Sequence, residues 1–466
     1  MGGKHQMKYL IPIMVILLLV STSFVGVSYD IENSKNTSSN GKTLYVGGSG
    51  PGNYTKIQDA IDDASDGDTV FIYSGTYVEN LIVHKSINLI GEDRESTIID
   101  GNQAEDVVYF GTGADWVNIT GFTIRNGTSG LWIVKSHCTI SKNIIMNNQG
   151  RGISLLYAQG CNITYNTINN NGGAGICEHW GGYNNYLSNT FKNNTGDAIS
   201  LYFLIGNNVF NNTINECQTG ISLYEASNCL IVENIIKNSS YCGIGLSYSS
   251  CGNKINGNNI TNSSIAAGIL IGGFVGGISK YNIITNNTIS SNNWSGILLE
   301  ITTNQNIIEG NTVFNNENFG VAIWNSDNNH VTGNAVFSNA LGGVYLIENS
   351  NYNNISGNNI YDNIYYGGIF LMEVSNNNLI HLNHITNNTI GINISESSNN
   401  KIINNNFINN RNVLFSSCRN QWHGNFWSKP LMLPKLIFGK YVIGPFVIPW
   451  VNFDWHPAKE PYDIGV

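Results

Sequence analysis

The stretch Gly343-Val-Tyr-Leu-Ile-Glu-Asn-Ser-Asn-Tyr-Asn-Asn-Ile-Ser-Gly-Asn-Asn-Ile360 decides the fold, because near-copies of it fill most of the chain. Its opening returns downstream as Gly368-Ile-Phe-Leu and Gly391-Ile-Asn-Ile. Upstream it appears as Gly320-Val-Ala-Ile, Gly296-Ile-Leu-Leu, Gly268-Ile-Leu-Ile, Gly243-Ile-Gly-Leu, Gly220-Ile-Ser-Leu, Asp197-Ala-Ile-Ser-Leu, Gly152-Ile-Ser-Leu and Gly130-Leu-Trp-Ile. From Gly220 to Gly391 successive glycines lie 23 to 28 residues apart. A period of this size marks a solenoid.

Within a repeat, apolar residues stand two apart in short segments, which is strand period. Ile, Val and Phe favour strands, and Asn and Gly break helices. Two or three short strands per repeat, joined by tight Asn/Gly turns, make one coil of a parallel β-helix. Asn appears at equivalent turn positions: Asn162, Asn185, Asn208, Asn228, Asn253, Asn282, Asn306, Asn329, Asn354, Asn378 and Asn400 in one column. A second column runs Asn166, Asn189, Asn212, Asn234, Asn258, Asn286, Asn311, Asn334, Asn358, Asn383 and Asn405. Stacked amides can bond their counterparts one rung away, and Asn tolerates left-handed turns. The columns are read as structural.

The expected fold is therefore all-β: a single-stranded right-handed parallel β-helix, with an N-terminal helical cap and a Pro/aromatic C-terminal cap. The 466 residues form one quasi-linear unit. Only 11% are charged and the net charge is −9, so no basic stripe exists to neutralise phosphates and nucleic acid is excluded as a partner. Residues 1–28 read as a signal peptide: Lys4 and Lys8, then the short apolar run Tyr9 to Val20, then Gly26-Val27-Ser28 at the cleavage point. An uncleaved anchor is the alternative. No second spanning segment follows, so the mature chain is expected to be extracellular or at the cell surface, without a transmembrane segment and monomeric. Residues 29–42 form a linker, 43–110 the N-terminal cap and first coils, 111–420 the Asn/Gly-rich repeats and 421–466 the C-terminal cap. In the cap region, Thr55-Lys-Ile-Gln58 reads as a capping box opening a helix with the stripe Ile57, Ala60, Ile61 and Ala64.

Tyr54-Thr-Lys-Ile-Gln-Asp-Ala-Ile61, Asp66-Gly-Asp-Thr-Val-Phe-Ile72, Ser74-Gly-Thr-Tyr-Val-Glu-Asn80 and Ile87-Asn-Leu-Ile-Gly91 resemble the opening segment of right-handed β-helix proteins of the pectin lyase-like superfamily. With the Asn/Gly repeats, the chain is similar to the NosD-like family of exported β-helix proteins, of the archaeal surface type. That family's repeat is also called the carbohydrate-binding and sugar-hydrolase domain. The resemblance covers residues 43 to about 420, and it implies fold and handedness rather than one activity, since the fold hosts many. Gly424-Asn-Phe-Trp427 resembles the closing motif of such repeats. Glu79 matches the first motif of pectin methylesterases, but the Asp, Gln and Arg motifs that should follow are absent, so Glu79 is read as structural. The motifs of alginate epimerases and polygalacturonases are absent too. The copper link of NosD proteins needs clustered His, Met or Cys, and His137-Cys138, His381 and His384 supply too little.

Three features carry candidate chemistry. Five residues after the repeat glycine stand Glu225, Glu348, Glu373 and Glu396, with Glu300 one place earlier. Glu348, Glu373 and Glu396 on successive rungs would repel unless a cation bridged them; a hard ion such as Ca²⁺ is the chemistry they would take. A solvated, salt-screened turn row is the plain alternative. Glu178-His179-Trp180, with Arg151 one coil earlier, could bind or cleave a uronate; a chance surface cluster is the alternative. Cys138 and Cys161, one rung apart, should stack within disulfide range, or else form a reduced ladder. No cofactor is required.

The leading expectation is a non-catalytic, exported scaffold that engages polysaccharide or glycan. The alternatives are a lyase or hydrolase acting on acidic polysaccharide, and a purely structural envelope or adhesion protein.

Overall fold

In the computed structural model, residues 41–272 and 277–464 are described. Residues 1–28, expected to be a signal peptide, and residues 29–40 of the expected linker lie outside them. Among the described residues, three sheets of 17, 16 and 17 strands run along the solenoid, parallel throughout except for a final antiparallel pair in the third. Each rung contributes one short strand to each sheet and pairs with the next rung in register. On the first sheet Ile284 faces Ile308, which faces Val331; on the second Ile289 faces Val313; on the third Leu299 faces Ile323. The period-2 pattern sends the middle residue of a three-residue strand inward on the first two sheets and the two outer ones inward on the third, as with Leu131 and Ile133. Ile140, Ile163, Ile231, Ile255, Ile284 and Ile308 form one such fully buried column.

The three corners of a typical rung are closed by buried Asn, with Cys161 and Cys229 in its place in one column and Cys217, Ser239 and Ser263 in another. In the second column Asn311 donates its backbone N–H and Nδ2 to Asn334 Oδ1, at 2.9 and 3.0 Å. Its Nδ2 also donates to the carbonyl of Ile284, at 2.8 Å. The Oδ1 thus accepts two bonds and both Nδ2 protons are used, which is what keeps an interior amide tolerable. The first column runs Asn253, Asn282, Asn306, Asn329, Asn353, Asn378 and Asn400. Asn162, Asn185, Asn208 and Asn354 sit one place later, on the outer side of the first sheet, and Asn228 one place before the buried Cys229. In the second column Asn287, not Asn286, is the buried member. A one-residue slip flips a side chain to the other face, and in a run such as Asn286-Asn287 composition cannot choose. A third column of Asn148, Asn171 and Asn194, taken up again by Asn292, Asn316, Asn339, Asn363 and Asn388, escaped the sequence reading.

The repeat glycines answer to space. A Cβ at Gly320 would stand 2.3 Å from Val336 Cγ1 and 3.0 Å from the carbonyl oxygen of Gly343. In this column only Ala198 departs from glycine between Gly130 and Gly391.

The helix Ile57–Asp63 packs Ile57, Ala60 and Ile61 against the first coils, as the stripe predicts. The capping box is not formed. Instead Glu79 receives the backbone N–H groups of Ile57 and Gln58 at 2.9 and 3.0 Å, while Gln58 pairs with the backbone of Ile82. The Gly-Thr-Tyr-Val-Glu motif is thus a helix cap supplied from a neighbouring strand. At the other end, Asp454 accepts from the N–H groups of Gly424 and Asn425, Asn425 Nδ2 and Trp427 Nε1, closing the second Asn column with a carboxylate. Among the described residues no helix is long and apolar enough to cross a membrane.

Candidate functional site

The outer face of the third sheet changes character along the solenoid. Its central outward column reads Ile82, Tyr109, Trp132, Ser154, Cys177, Ser200, Ser222 and Gly245. Beyond these come Leu270, Leu298, Ala322, Tyr345 and Phe370. The later part is covered: Phe319, Leu270, Leu298, Ala322 and Phe370 are buried under Tyr241, Leu341 and Tyr366. Before it, Ser154, Cys177, Ser200 and Ser222 are small and form the floor of a groove between larger flanking side chains. Nearer the N-terminal end of the same sheet, Ile82, Tyr109, Trp132, Glu105 and Asp106 among others line a concavity of about 390 Å³.

One wall comes from the next outward column, where His179, Tyr202 and Tyr224 follow one another. The His179 and Tyr202 rings stack at 4.6 Å and 7°. The opposite wall comes from the residues before the repeat glycines, where Arg151, Ala174 and Asp197 succeed each other. Arg151 and Asp197 are two rungs apart, roughly 10 Å of backbone, with the small Ala174 between them. Asp197 Oδ2 accepts from Ser200 Oγ at 2.8 Å. Burial raises its pKa, opposed by hydrogen bonds from Ser200, Thr219 and Ser222. Burial, then the Arg151 charge, lowers the pKa of His179. Cys177 Sγ lies 3.4 Å from His179 Nε2, and burial pushes the thiol up to about 11. The thiol is therefore held protonated, unlike an activated nucleophile. The groove offers one guanidinium, one carboxylate, an imidazole and hydroxyls. Carboxylate-pair hydrolysis needs two carboxyl groups facing one bond.

Glu178 does not join this site. Strand period turns it away from Cys177 and His179, into the interior, where it is fully buried between Leu155 and Leu201. There Tyr186 Oη donates to it at 2.5 Å and Asn184 Nδ2 at 2.6 Å, and Asn207 Nδ2 donates as well. Burial pushes its carboxyl up to about 7, against the lowering effect of these donors. The cluster expected from Glu178, His179 and Arg151 is thus split by the wall of the sheet. Asp197, Cys177, Ser200 and Tyr202, which the sequence reading did not select, stand with His179 and Arg151 instead. The alternation rule applied to Glu178-His179 would have separated the two. Asp197, one of four aspartates between residues 111 and 420, was the other available signal.

Trp180 and the acidic row turn out to share one ridge. The left-handed residue closing the third strand of each rung is Tyr157, Trp180, Phe203, Glu225 and Tyr248 in turn, with φ of 57, 54, 56, 48 and 50°. Further on it is Ile301, Asn325, Glu348, Glu373 and Glu396, with φ of 40, 47, 47, 52 and 52°. The ridge is aromatic beside the polar groove and acidic toward the C-terminal end. Tyr157, Trp180 and Phe203 stack at 5.5 and 5.8 Å with interplanar angles of 19 and 16°, yet remain 62%, 49% and 38% exposed. Glu300 stands one column inward, and burial raises its pKa. Glu348, Glu373 and Glu396 do follow one another along the ridge. Even so, among the described residues no group of three or more His, Cys, Asp or Glu is arranged to hold a metal ion. Cys138 and Cys161 align on adjacent rungs, as their spacing predicts, but both are free thiols. Cys138 Sγ bonds the carbonyl of Ala114 and Cys161 Sγ that of Lys135.

The chain belongs to the right-handed β-helix region family, which it matches over residues 20–191, 135–278 and 205–360. It is 34% identical over 138 residues to a cell surface glycoprotein of Methanothermus fervidus, a match covering 29% of this chain and 20% of that protein. Among solved structures it is similar to the receptor-binding protein of bacteriophage Det7, with a TM-score of 0.48, 13% identity and coverage of 68% of this chain and 73% of that one. It is also similar to the catalytic unit of an α-1,3-glucanase from Streptomyces thermodiastaticus, with a TM-score of 0.47, 14% identity and coverage of 73% and 66%. The A-module of a mannuronan C-5 epimerase from Azotobacter vinelandii gives a TM-score of 0.35 at 16% identity, with 80% and 94% covered.

Proposed function

We propose that this protein is an exported cell-surface β-helix that holds a polysaccharide chain along the third sheet without cleaving it. The observation that carries this reading is the exposed ladder Tyr157–Trp180–Phe203 beside a groove of small polar residues. Rings that present an apolar face and stay wet suit the alternating apolar and polar faces of a sugar. Three successive rungs set their rings along one line, which matches a polymer better than a single small molecule. The similarity to a cell surface glycoprotein supports the location. Arg151 favours a ligand that carries carboxylates.

The presence of Arg151, His179, Tyr202 and Asp197 in one groove also motivates a second reading, in which an acidic polysaccharide is cleaved there. Both are tested by incubating the protein with neutral and uronic-acid polysaccharides, with and without Ca²⁺, and measuring retention and new chain ends together. Retention without new ends, weakened at least 10-fold by Trp180→Ala, is expected. New ends abolished by His179→Ala or Asp197→Asn would establish cleavage. No retention of any polymer would overturn both readings and leave a structural envelope protein.

A further inference from the structure

The C-terminal region does more than close the last coil. Strands Lys435–Ile443 and Phe446–Asp454 form a nine-pair antiparallel hairpin. Only Gly439 and Lys440 continue the third sheet, by pairing with Phe415 and Ser416. The base is fixed by Asp454, and Tyr462 Oη seals it by donating to the carbonyl of Gly424. Ile437 packs into the core and Val442 N–H donates to Ser417 Oγ at 3.0 Å, so it is the tip, from Ile443 to Val447, that is left exposed. Phe438, Ile443, Phe446 and Val447 are 60–69% exposed, and the adjoining loop exposes Met432 and Leu433 at 92% and 76%.

Two properties identify what covers this surface. Val442 and Ile443 are neighbours on one strand, as are Phe446, Val447 and Ile448 on the other, so their side chains point to opposite faces. All five are exposed, and apolar side chains thus line both faces of the tip. A protein partner docked on one face would leave the other in water, whereas an acyl environment surrounds both. The charge pattern agrees. The chain carries −9 overall, yet between Glu396 and Asp454 it has Lys401, Arg411, Arg419, Lys429, Lys435 and Lys440 and no acidic residue. Asp454 itself is fully buried. From Tyr441 to Phe453 there is no charge at all, and Tyr441 and Trp450 pair edge-to-face across the Lys440–Pro449 row at the foot of the apolar tip. An uncharged apolar tip with aromatic and basic side chains together at its foot is a pattern that a membrane interface selects.

We propose that this hairpin is a lipid-binding element, which inserts the tip around Ile443 and Phe446 into an anionic membrane surface while Lys435 and Lys440 meet the headgroups. The element lies on a membrane and does not span it, and it would hold the C-terminal end of the solenoid at that surface.

The test uses the full chain with Val447→Cys carrying an environment-sensitive nitrobenzoxadiazole label. Cys251→Ser is included because the other seven cysteines are buried. The reporter sits on the hairpin, so membrane binding through any other segment leaves it in water. With phosphatidylglycerol/phosphatidylcholine vesicles the emission should rise several-fold, shift to the blue and be quenched by spin labels on the acyl chains. Lys435→Gln with Lys440→Gln should raise the lipid needed for half the response roughly 30-fold. Phe446→Ser with Ile448→Ser should remove the response, while the retained Asp454 anchor keeps the coils folded. Unchanged emission with vesicles would overturn the proposal. So would an emission change without lipid that grows with protein concentration, which would mean that a second copy covers the hairpin. An equal response to soluble polygalacturonate would overturn it too, because the basic surface would then serve an anionic polymer.

Discussion

Replacing Glu178 by Leu tests whether a carboxyl group titrates inside the β-helix. Glu178 and Tyr186 interrupt two apolar columns, Leu155/Leu201 on the third sheet and Ile163/Val209 on the first, and they bond to each other across the interior. Burial raises the carboxyl pKa from 4.5 to about 7. Between those values the folded chain keeps a proton that the unfolded chain has released. The contribution to stability is therefore greatest below pH 4.5 and declines as pH rises toward 7. A difference of that size corresponds to about 3 kcal/mol lost between pH 4.5 and 8. In Glu178→Leu this slope should vanish. The substitution also strands Tyr186 Oη and Asn207 Nδ2, whereas Asn184 Nδ2 keeps the carbonyl of Ala158. Two orphaned buried donors cost about 2–6 kcal/mol, less the gain from burying Leu. The variant should thus be clearly less stable at pH 5, with the gap closing by about 3 kcal/mol at pH 8. Adding Tyr186→Phe removes one orphan and should restore about 1–3 kcal/mol. Urea unfolding at the two pH values measures all of this. A pH slope unchanged in Glu178→Leu would refute the reasoning, because the titrating group would then lie elsewhere.

Glu79→Ala removes the carboxylate that caps Ile57–Asp63 and should lower stability by about 1–2 kcal/mol. Glu79→Gln should recover part of the loss, since its carbonyl oxygen still accepts one N–H; equal loss in both variants would show that the cap depends on charge rather than on the bonds. Thiol titration should find one fast-reacting cysteine in the folded protein, Cys251, because the other seven are buried. Burial pushes Cys177, Cys229 and Cys418 up to about 11, 12 and 11, which slows their thiolate chemistry further. Eight thiols should react in urea; six would mean that Cys138 and Cys161 had been oxidised to a disulfide.

The fold was legible because the same physical problem recurs in every rung. Each coil must bury the inward side chains of its three strands and turn three corners, so the solution is written many times over and the period survives local noise. Gly320 and Gly343 carry that signal, since no side chain fits between one rung's glycine and the next rung's carbonyl. The helix stripe of Ile57, Ala60 and Ile61 was legible for the same reason: it is a local pattern. Its cap was not, because Glu79 comes from a strand 22 residues away rather than from Thr55. The third Asn column was missed where Cys217, Ser239 and Ser263 replace the amides and break its run.

The sequence by itself determined the β-helix, its rung length and the column in which Glu348, Glu373 and Glu396 follow one another. All of these follow from periodicity, which is a one-dimensional property. Only the tertiary structure decided facing and company. It put Glu178 inside and His179 outside, aligned Arg151 and Asp197 on one wall two rungs apart, set Trp180 and Glu225 on one ridge, and left the hairpin tip uncovered on both faces. These depend on register to a single residue and on which rungs become neighbours, and in a chain so rich in Asn pairs a one-residue slip is invisible in composition but reverses every side chain.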